Sequence, residues 1–373
     1  MDDAPYFPKK VFVTKDCEDL PIARKVLENT QHLPVEIIED ARELIGDVLL
    51  SRDPVGKGKK LLLVTNQKGG FVKPCPCTPK YIGCNYFIIN TDINCPLDCS
   101  YCILQLYLSN PLLTIHANTT QLYQQLDSFL HKNRNRSLRI GTGELGDSLA
   151  LDHLTGRSSD LISYFADRPD ALLELKTKTL NIKNILSLKP TNNIVIAWSL
   201  NSEKMAIEEE IGSPPVHDRI QAAQLVAEAG YRVGFHFDPI IYHEAWEDGY
   251  AEVVHSLLAR IDSQKIAWIS LGSLRFPSAL KPVIMKRFPE TKIVYEEFIT
   301  GRDGKLRYPK TLRLRLFQRV TDELKKAGGG DIPLYFCMES SDIWMSVQKK
   351  APRSKKEVEK LLTLPLGAKD NGS

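Results

Sequence analysis

From residue 85 onward the chain alternates short β-branched or aromatic runs with helix-like stretches, and few architectures accept that pattern. The strand-like runs are Tyr86–Asn90, Leu138–Ile140, Leu172–Leu175, Ile194–Ser199, Arg232–Phe237 and Ile266–Leu271. The clearest helical stretches are Thr119–His131, Ser159–Ala166, His217–Ala229 (stopped by Gly230) and Asp248–Ile261, with apolar residues at helical spacing. Such alternation implies parallel strands joined by right-handed crossovers. Six units of this kind predict an α/β fold, a partial (βα)6 TIM-like barrel of roughly 200 residues. An ordinary doubly wound sheet is the structural alternative.

Flanking segments set the expected domains. Residues 1–84 read as a smaller N-terminal α/β region, with strand-like Lys10–Thr14 and Lys60–Thr65 around a helix-like Glu36–Val48; Pro74, Pro76 and Pro79 then interrupt regular structure. The barrel is expected over 85–300, a basic hairpin and C-terminal extension over 301–348, and a charged tail over 349–373, read as a short helix and a frayed end. Hydrophobic content of 43% allows a sizeable core, and a net charge of +3 permits an anionic partner without demanding one. The acidic N-terminus lacks an apolar signal core, and runs such as Leu61–Val64 and Ile194–Trp198 are too short to cross a bilayer. The expectation is a cytoplasmic protein with no membrane partner, and nothing in the sequence calls for more than a monomer.

In barrel-like α/β folds the chemistry gathers at the C-terminal strand ends. Those ends carry, in order, a cysteine loop, Gly141-Thr142-Gly143-Glu144, Lys176 with Lys178, Ser199 with Asn201, His236 with Asp238, and Ser273 with Arg275. The loop reads Asn94-Cys95-Pro96-Leu97-Asp98-Cys99-Ser100-Tyr101-Cys102, a C-x3-C-x2-C pattern. Three closely spaced thiolates suit three irons of a cubane cluster. Cys95, Cys99 and Cys102 are therefore the candidate ligands of a [4Fe–4S] cluster. Its fourth iron would be left open to the amino and carboxylate groups of S-adenosylmethionine. A zinc site with Cys84 or a histidine as fourth ligand is the rival reading; it would make the chain a zinc-bound nucleic-acid-binding module.

The cysteine spacing, with an aromatic residue before the last cysteine, resembles the radical S-adenosylmethionine superfamily. Carried over residue by residue, Gly143-Glu144 looks like the motif holding the methionine amino group. Lys178 looks like its carboxylate partner, Ser199 and Asn201 look like ribose and carboxylate contacts, and Tyr101 would stack near the adenine. The stretch CPLDCSYCILQLYL from Cys95 to Leu108, with Asp152-His153-Leu154-Thr155, Trp198 to Ser202, Ala229 to Phe235 and Pro239 to Trp246, resembles the spore photoproduct lyase family. That resemblance covers about residues 70–310. It implies a carbon–carbon lyase for DNA repair, opening a thymine photoproduct with a 5′-deoxyadenosyl radical and drawing electrons from a donor such as ferredoxin or flavodoxin.

The chain departs from the family at two places. The cysteine that returns a hydrogen to the product is absent from Arg139 to Asp147, where Glu144 aligns, and the relay tyrosine after the last cluster cysteine is Ile103. Tyr101 keeps one part of the relay and is the catalytic candidate. Cys337 is a conceivable substitute donor, with burial as a structural cysteine the preferred reading. These departures keep open a radical enzyme for another substrate, such as RNA, a peptide or a small molecule. Cys75, Cys77 and Cys84, spaced C-x-C-x6-C, match no familiar cluster pattern and read as packing near the barrel entrance, with a second metal site as the lesser alternative.

DNA with pyrimidine damage is the expected partner, and it needs cations near phosphates and an extruded lesion. The run from Thr300 to Arg315 supplies Arg302, Lys305, Arg307, Lys310, Arg313 and Arg315 around Tyr308 and is read as two extended arms about a Gly301–Gly304 turn. Arg307, Tyr308, Arg302 and His236 are the candidate substrate contacts. Arg134, Arg136 and Arg139 form a second basic group, which begins in a loop before the second strand and is expected to face away from the rim.

Overall fold

The computed structural model describes residues 5–78 and 80–367. Its main sheet has eight strands in sequential spatial order, Val72–Pro74, Tyr86–Ile89, Leu138–Gly141, Ala171–Thr177, Ile194–Ser199, Arg232–Ile240, Ile266–Ser273 and Leu334–Phe336. The first strand pairs antiparallel and all later neighbours pair parallel. Ile194–Ser199 and Ile266–Ser273 are buried at every position, as expected of strands covered on both faces.

The sheet is curled, which distinguishes it from a flat doubly wound sheet. Arg139, on the second parallel strand, lies over the rings of Tyr86, Trp268 and Tyr335 at 4.8, 5.0 and 5.2 Å. One guanidinium thus spans the first, sixth and last parallel strands. Arg139 lies on the strand foreseen at Leu138–Ile140, but its side chain points into the barrel instead of facing away from the rim. The second strand ends on Gly141 for a steric reason: a Cβ there would come within 1.8 Å of the Tyr86 hydroxyl.

A second sheet of five strands takes the order Val35–Ile38, Lys10–Thr14, Leu61–Thr65, Leu113–His116 and Asp92–Ile93. Its last two strands lie beyond residue 84 in the chain, so the sheet crosses the boundary placed there. One face packs Val11, Val13, Leu62, Val64 and Ile115 against Ile22 and Val26 of the helix Pro21–Asn29, and against Leu154. The opposite face packs Phe12 and Leu63 against Val48.

The C-terminal part differs from expectation in two ways. Leu334–Phe336 adds a seventh parallel strand to the six foreseen. The basic run is a hairpin only as far as Arg307, where Lys305–Arg307 pairs antiparallel with both Ile299–Thr300 and Arg275–Pro277. Gly304, at φ 76°, donates its N–H to the Gly301 carbonyl and closes the turn. From Lys310 to Lys326 the chain is a helix. The charged tail forms a helix over Lys355–Gly367, and its last residues lie outside the described ones. Among the described residues no helix is long and apolar enough to cross a membrane.

Candidate active site

The cysteine loop follows the first parallel strand and is held from three directions. Lys59, buried beside the N-terminal sheet, donates to the carbonyls of Cys95 and Leu97, both at 2.6 Å. Arg287 grips Asp98 through Nη2 at 2.9 Å and also bonds Gln105, whose amide donates to the Ser100 carbonyl at 2.8 Å. Asp98–Cys99 forms a short antiparallel pair with Glu210–Ile211, with Cys99 opposite Glu210. Asn94 enters the loop at φ 69° and anchors to the Pro111 carbonyl. Asparagine is one of the few residues that tolerate this left-handed backbone.

Cys95, Cys99 and Cys102 are free thiols. Among the described residues no three Cys, His, Asp or Glu side chains converge closely enough to hold a single metal ion. Three soft thiolates on one braced loop are a donor set that fits the irons of a cluster. Cys84, the proposed fourth zinc ligand, lines a different cavity, with Cys75, Cys77 and Cys337.

The candidate S-adenosylmethionine contacts meet at a residue that the sequence reading missed, Glu210. Its carboxylate accepts from the Tyr101 hydroxyl, from Asn201 Nδ2 at 3.3 Å, and pairs with Arg219 at 2.6 Å and Lys178 at 3.7 Å. Burial alone would push this carboxyl up; Lys178 and Arg219, helped by hydrogen bonds from Tyr101 and Arg219, hold it down at about 2. Arg219 also donates to the Ser199 carbonyl at 3.0 Å, which ties that candidate into the same network. Asn201 Oδ1 accepts from the Tyr250 hydroxyl at 2.6 Å. Nothing in the sequence marks Glu210, because its partner Tyr101 is 109 positions away.

Gly143 and Glu144 stand on the neighbouring loop, which Asp147 organises. Its Oδ1 accepts from the Leu149 and Ala150 N–H groups and from Thr177 Oγ1, and its Oδ2 from the Lys178 N–H at 2.7 Å. Gly143 lets the loop lie against Lys176, since a Cβ there would sit 3.0 Å from the Lys176 backbone. Burial alone would lower the Lys176 ammonium, but Glu144, Glu174 and Asp238 raise it above its ordinary value.

The substrate candidates fare differently. Arg307 is 1% exposed. Its guanidinium is committed to Asp303 at 2.5 Å, to the Met338 carbonyl at 3.2 Å and to the Tyr81 ring. Tyr308 is fully buried, stacked on Phe298, with its hydroxyl accepting the Tyr242 N–H. Both side chains are turned inward and brace the hairpin, where the sequence reading had expected them to face a substrate. Arg313 is likewise buried against Glu339 at 2.5 Å. Arg302 is exposed and Lys305 partly so. His236 is buried with Nε2 2.7 Å from Glu174 Oε1, deep in the barrel.

The family model described as spore photoproduct lyase matches residues 6–311. The chain belongs to the spore photoproduct lyase family. The spore photoproduct lyase of Bacillus subtilis (strain 168) is 27% identical over 299 residues, which is 79% of this chain and 86% of that protein. The Geobacillus sp. (strain Y412MC61) enzyme of the same name is 25% identical over 301 residues, 79% of this chain and 86% of that protein. A solved spore photoproduct lyase complexed with dinucleoside spore photoproduct superposes with a TM-score of 0.76 at 22% identity, covering 89% of this chain and 99% of that one. At that identity the superposition speaks for the fold, a curled α/β half-barrel.

The Glu174–His236 pair makes stability depend on pH. Burial alone would raise the Glu174 carboxyl, but His236, with Arg139 and Lys176, brings it from 4.5 to about 2. Burial pushes the His236 imidazole below its ordinary 6.5. Both shifts mean that the unfolded chain binds protons the native chain refuses. The His236 contribution fades as pH falls below 6.5, and the Glu174 contribution fades as pH falls from 4.5 toward 2. Urea midpoints measured from pH 7 down to 4 are expected to fall steadily; a midpoint that holds or rises on acidification would contradict this.

Proposed function

We propose that the protein is a radical S-adenosylmethionine lyase that reopens a thymine photoproduct in DNA. The observation that carries the reading is the convergence of Tyr101, Lys178, Asn201 and, through Arg219, Ser199 upon Glu210, opposite the cysteine loop. That convergence occurs in a chain matched by the family model over residues 6–311. A related solved structure, a spore photoproduct lyase double mutant with bound AdoMet and dinucleoside spore photoproduct, supports the same pair of ligands.

In this reading Cys95, Cys99 and Cys102 hold the [4Fe–4S] cluster. When bound, the cluster and S-adenosylmethionine supply the 5′-deoxyadenosyl radical that attacks the lesion. The chain's own part is positional. Lys59 and Arg287 fix the loop, Asp147 fixes the Lys178 backbone, and Glu210 holds Tyr101, Lys178 and Asn201 in one orientation. Glu144 and Lys178 offer opposite charges to the amino and carboxylate groups of the methionine moiety. A one-electron donor of the ferredoxin or flavodoxin class, a monomeric state and a cytoplasmic setting complete the proposal.

Phosphate recognition passes from Arg307 to the exposed Arg302 and to Lys305, whose ammonium burial and Arg275 push below its ordinary value. Replacing both by alanine is expected to weaken binding of damaged DNA about tenfold and to flatten its salt dependence by one to two phosphate contacts. Uncoupled cleavage of S-adenosylmethionine should persist. Unchanged affinity and salt slope would remove the hairpin from the DNA site.

The whole reading is tested by one anaerobic assay with dithionite, S-adenosylmethionine and a synthetic spore-photoproduct dinucleotide, read by mass spectrometry. Recovered thymine dinucleotide supports it. Formation of 5′-deoxyadenosine without repair would favour the second reading, a radical enzyme for another substrate, which Glu144 and Ile103 at the two hydrogen-transfer positions motivate.

A further inference from the structure

Four of the remaining cysteines, far apart in the chain, line one cavity. Cys75, Cys77 and Cys84 come from the segment before the first parallel strand, and Cys337 from the end of the last. The cavity is about 70 Å³ and lies at the open side of the half-barrel, where the antiparallel bridge between Ile82 and Glu339 joins the two sheet edges. We propose that Cys75, Cys77, Cys84 and Cys337 bind a second iron–sulfur cluster of the four-iron type, distinct from the cluster on the C-x3-C-x2-C loop.

The donor set is soft and complete. Four thiolates saturate a cubane and leave no open iron, so a cluster here could not take up S-adenosylmethionine and could only carry electrons. The cavity argues for a cluster over a single ion, since it has room for roughly five water-sized spheres. The four sulfurs reach the cavity from two ends of the sheet, the segment before Tyr86 and the residue after Phe336.

Cationic side chains approach the sulfurs, against the burial that pushes the Cys75, Cys77 and Cys337 thiols up. Arg139 Nη2 donates to Cys84 Sγ at 3.0 Å, and Arg275 Nη2 to Cys337 Sγ at 3.4 Å. Hydrogen bonds to sulfur of this kind orient and tune thiolate ligands. Lys355 also lines the cavity, so cationic groups flank a site that would carry net negative charge once filled. Local shape conforms as well. Gly83 admits the Cys77 sulfur, which a Cβ would meet at 2.7 Å, and Met338, next to Cys337, is held at φ 53°. A thioether residue in that strained region has an identifiable use when its neighbour must point inward.

This proposal does not rest on the function assigned to the cysteine loop, because its readout is metal content. The full chain would be reconstituted anaerobically with iron and sulfide, and its iron counted. About eight irons per chain are expected for the wild type, and about four for a Cys75→Ala/Cys84→Ala/Cys337→Ala variant. That variant should keep the electron paramagnetic resonance signal that changes on adding S-adenosylmethionine. A Cys95→Ala/Cys99→Ala/Cys102→Ala variant should retain about four irons and a signal indifferent to S-adenosylmethionine. About four irons in the wild type, with no loss in the first variant, would overturn the proposal. So would stoichiometric zinc at the second site, or a disulfide among its cysteines in the anaerobic wild-type protein. Should the second variant fail to fold, the wild type and the first variant decide the matter.

Discussion

Cys99→Ala is expected to abolish formation of 5′-deoxyadenosine while leaving the fold in place. The residue lies in the backbone pair with Glu210–Ile211, and that pairing does not use its side chain. Lys59 and Arg287 hold the loop through the Cys95 and Leu97 carbonyls and through Asp98, none of which changes. Alanine therefore removes one iron ligand and little else. A cluster with two loop thiolates in place of three loses its anchoring, and 5′-deoxyadenosine should fall by at least about three orders of magnitude, as for loss of a residue essential to the chemical step. Cys95→Ala and Cys102→Ala should behave alike. Near-wild-type 5′-deoxyadenosine from any of the three would sink the assignment, provided that the melting curve is unchanged.

Glu210→Ala is expected to have the largest effect on stability. Lys178 would lose its carboxylate, and Arg219, with no exposed surface, would keep only neutral partners, the Pro214 and Ser199 carbonyls and the Ser213 hydroxyl. Removing one partner of a buried ion pair typically costs about 3–5 kcal/mol, because an uncompensated charge remains. Against a usual total of about 5–15 kcal/mol, such a loss threatens folding at ordinary temperature. Glu210→Gln keeps an acceptor for Tyr101 and should cost less. The sign with pH follows from the depressed carboxyl: the Glu210 contribution is complete above 4.5 and is lost as pH falls toward about 2. Urea unfolding at pH 7 would measure both variants, and a cost below about 1 kcal/mol for alanine would show that the network is solvated rather than buried.

The two predictions differ in how far the sequence could have led to them. The cysteine loop was legible because its ligands are local, three thiols within eight residues. The six central strands were legible because a strand buried on both faces must be apolar throughout, as in Ile194–Ser199. Leu334–Phe336 escaped notice because three residues after Pro333 carry too little pattern. Glu210 escaped because its meaning comes from pairing with a distant loop. The basic run misled in an instructive way. Charge composition was read as solvent exposure, yet Asp303, Glu339 and the Tyr81 ring draw Arg307 and Arg313 inward. Long cationic side chains are compatible with a core whenever a carboxylate travels with them.

The interleaving of the two sheets bears on how such a chain can be rearranged. Leu113–His116 leaves the barrel's own sequence, between the cysteine loop and the second parallel strand, and joins the N-terminal sheet between Leu61–Thr65 and Asp92–Ile93. Val72–Pro74 makes the opposite exchange and edges the barrel. Neither unit can then be excised as a contiguous cassette, and a cut near residue 84 would leave each fragment with an exposed, unpaired strand edge prone to aggregation. The N-terminal sheet and the barrel therefore have to be kept together, as does the segment beyond the last strand, which buries Trp344 and Leu362 in the main core.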